Sequence, residues 1–302
     1  MRIERIADEN RRMQGVARRA WYAQHSPAHL EGVATVLRTG WAARQAGTPP
    51  DLVVLGAGAC TEAPPALLLE LASQVTLVDI DGASMAAACA EVPPAQRARL
   101  RIVEGDIAAG VSARLADLVA HQDWPALIAA GPSRFWSVLA ACLIACPVSA
   151  PAQLPLPAAA YGLVASTLVL TQLFNLPLMD LLDHAARLEP DFLGEQEEHA
   201  AYQYAVADFK RRVTVAHLDL LAHLLAPGGA IALISDVEGF LWDAGGSRTT
   251  LPLFPFDLAE LLATRFTPLA PPLEWEWLTH LPAGAQPGRG YRVQGWLLGG
   301  SS

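Results

Sequence analysis

The spacing of apolar positions along the chain changes near residue 50. Residues 1–47 place apolar side chains three and four apart, the spacing of amphipathic helices. One helix is expected in "RIERIADENRRMQGVARRAWYAQ". A second is expected in "PAHLEGVATVLRTGWAARQAG", with Ser26 as N-cap and Pro27 at the first helical position. The run Gly47-Thr48-Pro49-Pro50 ends it. From Asp51 the pattern turns to short strands: the continuous apolar run Leu52–Leu55, then Gln74–Asp81, Arg99–Ile107, Tyr161–Thr167 and Ala230–Val237. Helical patterns separate them. Continuous apolar strands alternating with helices predict a parallel sheet covered on both faces.

The alternation is irregular in one place. More than fifty residues separate Asp106 from Tyr161. They hold the helical stretches "AGVSARLADLVAHQ" and "SRFWSVLAACLIA", then a proline-rich linker. We read residues 108–158 as a helical insertion before the fourth strand, a lid or a substrate wall. After Pro190 comes a long helical pattern broken by Pro227-Gly228-Gly229, and "PFDLAELLATRF" reads as another helix. The end, "PLEWEWLTHLPAGAQPGRGYRVQGWLL", reads as two strands joined by a Gly/Pro loop, an antiparallel hairpin. The expected division is a helical cap over 1–48 and one α/β domain over 49–302.

Ala158–Leu178 is about long enough to span a bilayer. It carries Ser166, Thr167, Thr171, Gln172, Asn175 and Pro177, so it reads instead as a buried strand running into a loop and a helix. The N-terminus is charged and lacks an apolar core, which argues against a secretory signal and for a cytoplasmic protein. With 302 residues, 52% of them hydrophobic, the chain can bury a large core. Its net charge of -9 comes without a basic stripe, which disfavours nucleic acid as a partner and favours a small molecule. The four cysteines, Cys60, Cys89, Cys142 and Cys146, show no zinc spacing, so no metal is expected.

The candidate chemistry begins at "DLVVLGAGACTEAP", Asp51–Pro64. A strand enters a loop through Gly56-Ala57-Gly58, whose glycines let backbone approach a ligand closely while the following helix offers free N–H groups. A dinucleotide fingerprint needs a third glycine where this chain has Thr61. Asp79 ends the second strand 21 residues after Gly58, where a carboxylate can accept the hydroxyls of a ribose. Asp81 is the better placed of the two acids to cap the next helix. Asp106 ends the third strand and can accept from an adenine amino group, with Ile107 packing on the ring, or it is an ordinary polar strand end.

In this order, "LVVLGAGACTE", "VTLVDID", "VEGD", "YGLVAST", "LLAPGGAIAL" and the terminal hairpin resemble the class I S-adenosylmethionine-dependent methyltransferases, over roughly residues 50 to 298. The resemblance implies a doubly wound, mostly parallel, seven-stranded Rossmann-like α/β sheet with an antiparallel C-terminal strand. It implies S-adenosylmethionine as cofactor, with Gly56 and Gly58 around its methionine part, Asp79 at the ribose and Asp106 at the adenine. Ala57, Ile80, Ile107 and Ser166 complete the expected cofactor set. The chain departs from the family pattern where an acid commonly precedes the glycine loop, since Val54-Leu55 stand there. Glu62, one turn into the helix, is then the candidate for the methionine amino group, or it faces solvent. No Asn/Asp-Pro-Pro-Tyr type sequence follows strand four, which disfavours methylation of DNA or protein amides.

The expected reaction is methyl transfer to an oxygen or nitrogen of a small molecule. Such an acceptor often needs a base. Tyr22 and His25, between the N-terminal helices, are the catalytic candidates. Thr171, Gln172, Asn175 and Tyr202 are the substrate candidates, and a homodimer is compatible with the chain. Two alternatives stay open: an NAD-dependent oxidoreductase, and a non-catalytic binding protein with a methyltransferase-like fold.

Overall fold

The computed structural model describes residues 16–149, 154–195, 199–243, 245–284 and 286–300. The first part of the expected N-terminal helix, the middle of the proline-rich linker and the residues just before His199 lie outside these. The chain begins with helices α1 (Val16–His25) and α2 (Pro27–Ala42). Strand β1 (Asp51–Leu55), helix α3 (Pro65–Leu71), strand β2 (Gln74–Asp79), helices α4 (Gly82–Ala90) and α5 (Pro94–Arg97), and strand β3 (Leu100–Glu104) follow. The described part of the insertion holds α6 (Val111–Ala120), α7 (Trp124–Ala129) and α8 (Pro132–Ala145). Strand β4 (Tyr161–Thr167) leads into α9 (Leu170–Leu188), a 3-10 turn (Pro190–Glu195) and α10 (Ala200–Leu224). The chain closes with β5 (Leu225–Trp242), β6 (Arg248–Pro252), α11 (Leu258–Ala263), β7 (Phe266–Pro268), β8 (Leu273–His280) and β9 (Gly288–Gly300).

The sheet runs β3-β2-β1-β4-β5-β9-β7, with β6 on β5 and β8 on β9. The first five strands are parallel, and β9 is antiparallel to β5. The described residues form nine strands where seven are expected, yet these fill seven positions across the sheet. β4 pairs β5 only as far as Ile234, and β6 takes up the same side from Glu238 onward. In the same way β8 and β7 share the outer side of β9. The Pro-Gly-Gly break read as the end of a helix lies inside β5, where the register shifts against β4.

Alternation within each strand divides the core. Val53, Leu55 and Val164 face one layer with α6, α8, α9 and α10. Leu52, Val54, Leu163 and Ala165 face the other, with α2, α3 and α4. The membrane-length segment is thus a fully buried strand followed by the start of α9, and no helix among the described residues is long and apolar enough to cross a membrane. Helix α2 packs Val33, Val36 and Leu37 on the sheet, each at most 2% exposed. At ~25 cal/mol per Å² of apolar surface, three such side chains hold the helix down by several kcal/mol. Ser26 does not cap α2: its hydroxyl accepts a hydrogen bond from the Leu278 backbone N–H at 3.0 Å and ties the α1–α2 corner to β8.

The β5–β9 ribbon positions the site. It continues eight residues beyond Ile234, the partner of Thr167 at the end of β4. With β6 and β8 alongside, it rises past the C-terminal edge of the parallel strands and forms a wall there. Helices α1 and α2 lean on that wall.

Candidate functional site

The glycine loop lies where β1 ends, at the C-terminal edge where the connections diverge to β2 and β4, the usual ligand position in such sheets. Gly56 has φ +75 and Gly58 φ +48, a region that favours glycine. A side chain at Gly56 has no room, because its Cβ would stand 2.4 Å from Val169 Cβ. At Gly58 the nearest atom would be Asp79 Oδ2 at 4.0 Å, so the backbone there is approachable.

Asp79 braces the loop. Its Oδ2 accepts from the Gly58 N–H at 2.9 Å and its Oδ1 from the Asp81 N–H at 3.0 Å. Burial raises its pKa, while these hydrogen bonds oppose the shift. Each oxygen keeps a second lone pair that a ligand hydroxyl can use. Asp81 is the helix cap, as expected, accepting from the Ser84 N–H at 3.1 Å and the Ser84 hydroxyl at 2.6 Å.

A cavity of about 100 Å³ opens on this loop. Gly56, Ala57, Gly58, Glu62, Asp79 and Gln172 line it, together with residues that the sequence did not single out: Arg18, Thr167, Leu168 and Trp277. That volume is below the ~300 Å³ at the low end of ligand pockets. A nucleoside-sized ligand therefore requires the cap side chains to move. Leu168 has φ +54, a strained conformation for a branched side chain, directly on this cavity.

Glu62 sits half-buried one turn past the loop. Burial raises its pKa, and the Arg18 guanidinium is the main opposing influence. Arg18 comes from α1, and its Nε donates to the Tyr22 hydroxyl at 2.7 Å. A cation and a carboxylate thus share one small cavity, the charge pattern that complements the zwitterionic end of an α-amino acid. Trp277 adds a buried indole Nε1–H to the lining. Its ring stacks on His29 at 4.6 Å and 12°. His29 is fully buried, and burial pushes its pKa down to about 3, so the ring is neutral. Its Nδ1 accepts from Trp275 Nε1 at 3.0 Å.

Several expected site residues lie elsewhere. Ser166 points to the helical layer on the opposite face, where its hydroxyl meets His217 Nε2 at 2.8 Å. Its neighbour Thr167, one step along the pleat, is the one on the cavity. Tyr202 is a core residue, 1% exposed with its ring 4.8 Å from Trp136. Tyr22 is buried, and burial pushes its pKa up to about 12, so it supports Arg18 and is no base at neutral pH. His25 is half-buried against Trp21, ring centroids 4.8 Å apart, and does not line the cavity.

The residues expected at an adenine are not gathered into the cavity. Both Asp106 oxygens accept from its own loop, from the Ala108 and Gly110 N–H groups at 2.8 Å each. Ile107 is buried in the core beside Val103 and Val111, and Ile80 is half-buried between Asp79 and Asp81. Asn175 is half-buried on α9 and absent from the lining. Gln172 is on the lining, its Nε2 donating to the Leu168 carbonyl at 2.9 Å.

In the sequence Asp236 is only a position within the block Ala230–Val237. It lies on β5 two residues beyond Ile234, at the start of the wall. It is 8% exposed, its Oδ1 accepts from the Thr171 hydroxyl at 2.7 Å, and burial pushes its pKa up to about 6. The Tyr291 pKa is raised by burial and then by the Asp236 charge, which marks the two as neighbours. The signal in the sequence is positional: Asp236 follows the last β5 residue paired with β4 by two places, much as Asp79 ends the strand that pairs with β1.

No family model matches the chain, and no curated protein sequence does. Among solved structures, the chain is similar to the glycopeptide N-methyltransferase MtfA complexed with S-adenosyl-L-methionine, at 13% identity over 87% of this chain and 93% of that one, with a TM-score of 0.37. It is similar to the MccD protein at 8% identity over 90% and 98% of the two chains, with a TM-score of 0.45. A third likeness is to an S-adenosylmethionine-dependent methyltransferase from Mesorhizobium loti, 14% identical over 88% and 99%, with a TM-score of 0.37. Identities and scores this low leave the functional reading to this chain's own residues. Its parallel sheet with an antiparallel β9 inserted beside β5 is the Rossmann-like arrangement that the family resemblance implied.

Proposed function

We propose that the chain is an S-adenosylmethionine-dependent methyltransferase acting on an oxygen or nitrogen of a small molecule. The observation that carries this reading is the meeting of Gly58, Asp79, Glu62 and Arg18 on one cavity at the C-terminal edge of the sheet. The loop and Asp79 suit a ribose, and the Glu62–Arg18 pair suits the ammonium and carboxylate of the methionine part. Bound there, the cofactor supplies a methyl group already activated by a sulfonium, so that alignment and exclusion of water furnish much of the rate. Trp277, Leu168 and the α1 side chains provide the exclusion. Asp236, held by Thr171 at the start of the β5–β9 wall and outside the cavity lining, is the carboxylate we assign to take the acceptor's proton once the cap side chains move. The acceptor then lies against the β5–β9 wall, near Trp277 and Tyr291.

A non-catalytic reading is favoured by two observations: Asp106 is engaged by its own loop, and the cavity is only about 100 Å³. Incubation with methyl-labelled S-adenosylmethionine and a panel of phenols, carboxylic acids and amines separates the two. Label transfer that Asp236→Asn abolishes supports the enzyme. Cofactor binding with no transfer to any member supports the binding protein.

A further inference from the structure

A second cavity, of about 490 Å³, lies between α6 and α9 and shares no lining residue with the one on the glycine loop. Helix α6 contributes Ser112, Leu115, Ala116 and Val119, and helix α9 contributes Pro177 and Leu181. The size and the mainly apolar wall are those of a small-molecule site. Apart from Ser112 on α6, its polar side chains form one row on α9: Asp180, His184 and Arg187, at helical spacing. His184 Nε2 is buried there without a hydrogen-bond partner among the described residues. The ring is fixed edge-on against Trp124 of α7, centroids 5.3 Å apart at 67°. Burial, and then the charge of Arg187, lower its pKa, so at neutral pH it presents an uncharged imidazole.

A buried polar atom left unpaired costs free energy that a ligand can recover by bonding to it. Asp180 and Arg187 stand on the same wall with opposite formal charges, so the row carries no net charge to draw an ion of either sign. From this juxtaposition we propose that the α6–α9 cavity is a second ligand site, taking a neutral molecule with an apolar ring body and one hydroxyl group bonded to His184. The inserted helices α6 and α7 then serve to build this site.

The probe is 2-naphthol, titrated into the full chain by calorimetry, with naphthalene and 2-naphthoate as comparisons. Saturable 2-naphthol binding is expected, with both comparisons weaker by about fivefold or more, the worth of one hydrogen bond. Ala116→Phe, which fills the cavity, should abolish it, and His184→Phe should bring 2-naphthol down to the level of naphthalene. Should either variant not fold, nuclear Overhauser contacts from 2-naphthol to the Leu115 and Leu181 methyl groups of the wild type decide the location. Absence of saturable binding, undiminished binding by Ala116→Phe, absence of those contacts, or displacement by S-adenosylhomocysteine overturns the assignment. Equal affinity for 2-naphthol and naphthalene overturns the role given to His184.

Discussion

Asp79 Oδ2 stands 2.9 Å from the backbone nitrogen of Gly58, so the acid at the end of β2 holds the loop at the end of β1. One carboxylate therefore shapes the loop and lines the cavity. Asp79→Ala leaves the Gly58 and Asp81 N–H groups without acceptors, at about 1–3 kcal/mol for each buried donor. Thermal unfolding should show a drop on the order of 5 °C. Calorimetry should show S-adenosylhomocysteine affinity lower by more than about tenfold.

The two glycines should separate packing from ligand contact. Gly56→Ala meets Val169 at 2.4 Å on top of an unfavourable φ, and should lose about 2–4 kcal/mol. Gly58→Ala meets nothing closer than 4.0 Å and should lose only the ~1–2 kcal/mol of the backbone conformation. S-adenosylhomocysteine affinity should nevertheless fall in Gly58→Ala, because its new methyl group faces the cavity. Unfolding curves and calorimetry on both variants check this.

Arg18 and Glu62 should read only the amino-acid end of the cofactor. Arg18→Gln and Glu62→Gln should each weaken S-adenosylhomocysteine by about 10- to 100-fold, as expected for a lost charge-assisted hydrogen bond. Binding of 5′-methylthioadenosine, which lacks that end, should stay within about twofold of wild type. A parallel loss for both ligands would show that the two side chains only support the fold.

Asp236 gives a pH dependence with a definite sign. Its folded pKa of about 6 lies above its ordinary value of 3.8, so the folded state holds the proton more tightly. The stability linked to it is fully present below pH ~4 and is lost as pH rises through ~6. Asp236→Asn keeps an acceptor for Thr171 and carries no charge. Relative to wild type it should be more stable at pH 7.5, by up to ~3 kcal/mol, and near equal at pH 4. Melting temperatures across that range check it.

Much of this was legible from local pattern. Continuous apolar blocks marked β1 to β4, and the positions of Gly58, Glu62 and Asp79 followed from where those blocks end. What failed depended on parity or on distant contacts. Ser166 and Thr167 differ by one step of the pleat, and nothing in "YGLVAST" says which faces the loop. Tyr202 shares its helix with exposed and buried residues alike, and only the packing against Trp136 decides its place. Arg18 and Trp277 reach the cavity from opposite ends of the chain, brought there by the α1–α2 corner and the β5–β9 wall. Trp277 was visible only as one inward position of an alternating strand. In "LLAPGGAIALISD" the Pro-Gly-Gly break is the strong local signal, and the acid at its end carries none until β5 is paired with β4.

Calorimetric titration of the wild-type chain with S-adenosylhomocysteine and, separately, with NADH decides whether the loop at Gly56–Gly58 takes S-adenosylmethionine, as proposed, or a dinucleotide. Saturable one-to-one binding of S-adenosylhomocysteine is expected, weakened in Gly58→Ala, with no measurable heat from NADH. Tight NADH binding, or no S-adenosylhomocysteine binding by a folded sample, would overturn the proposal.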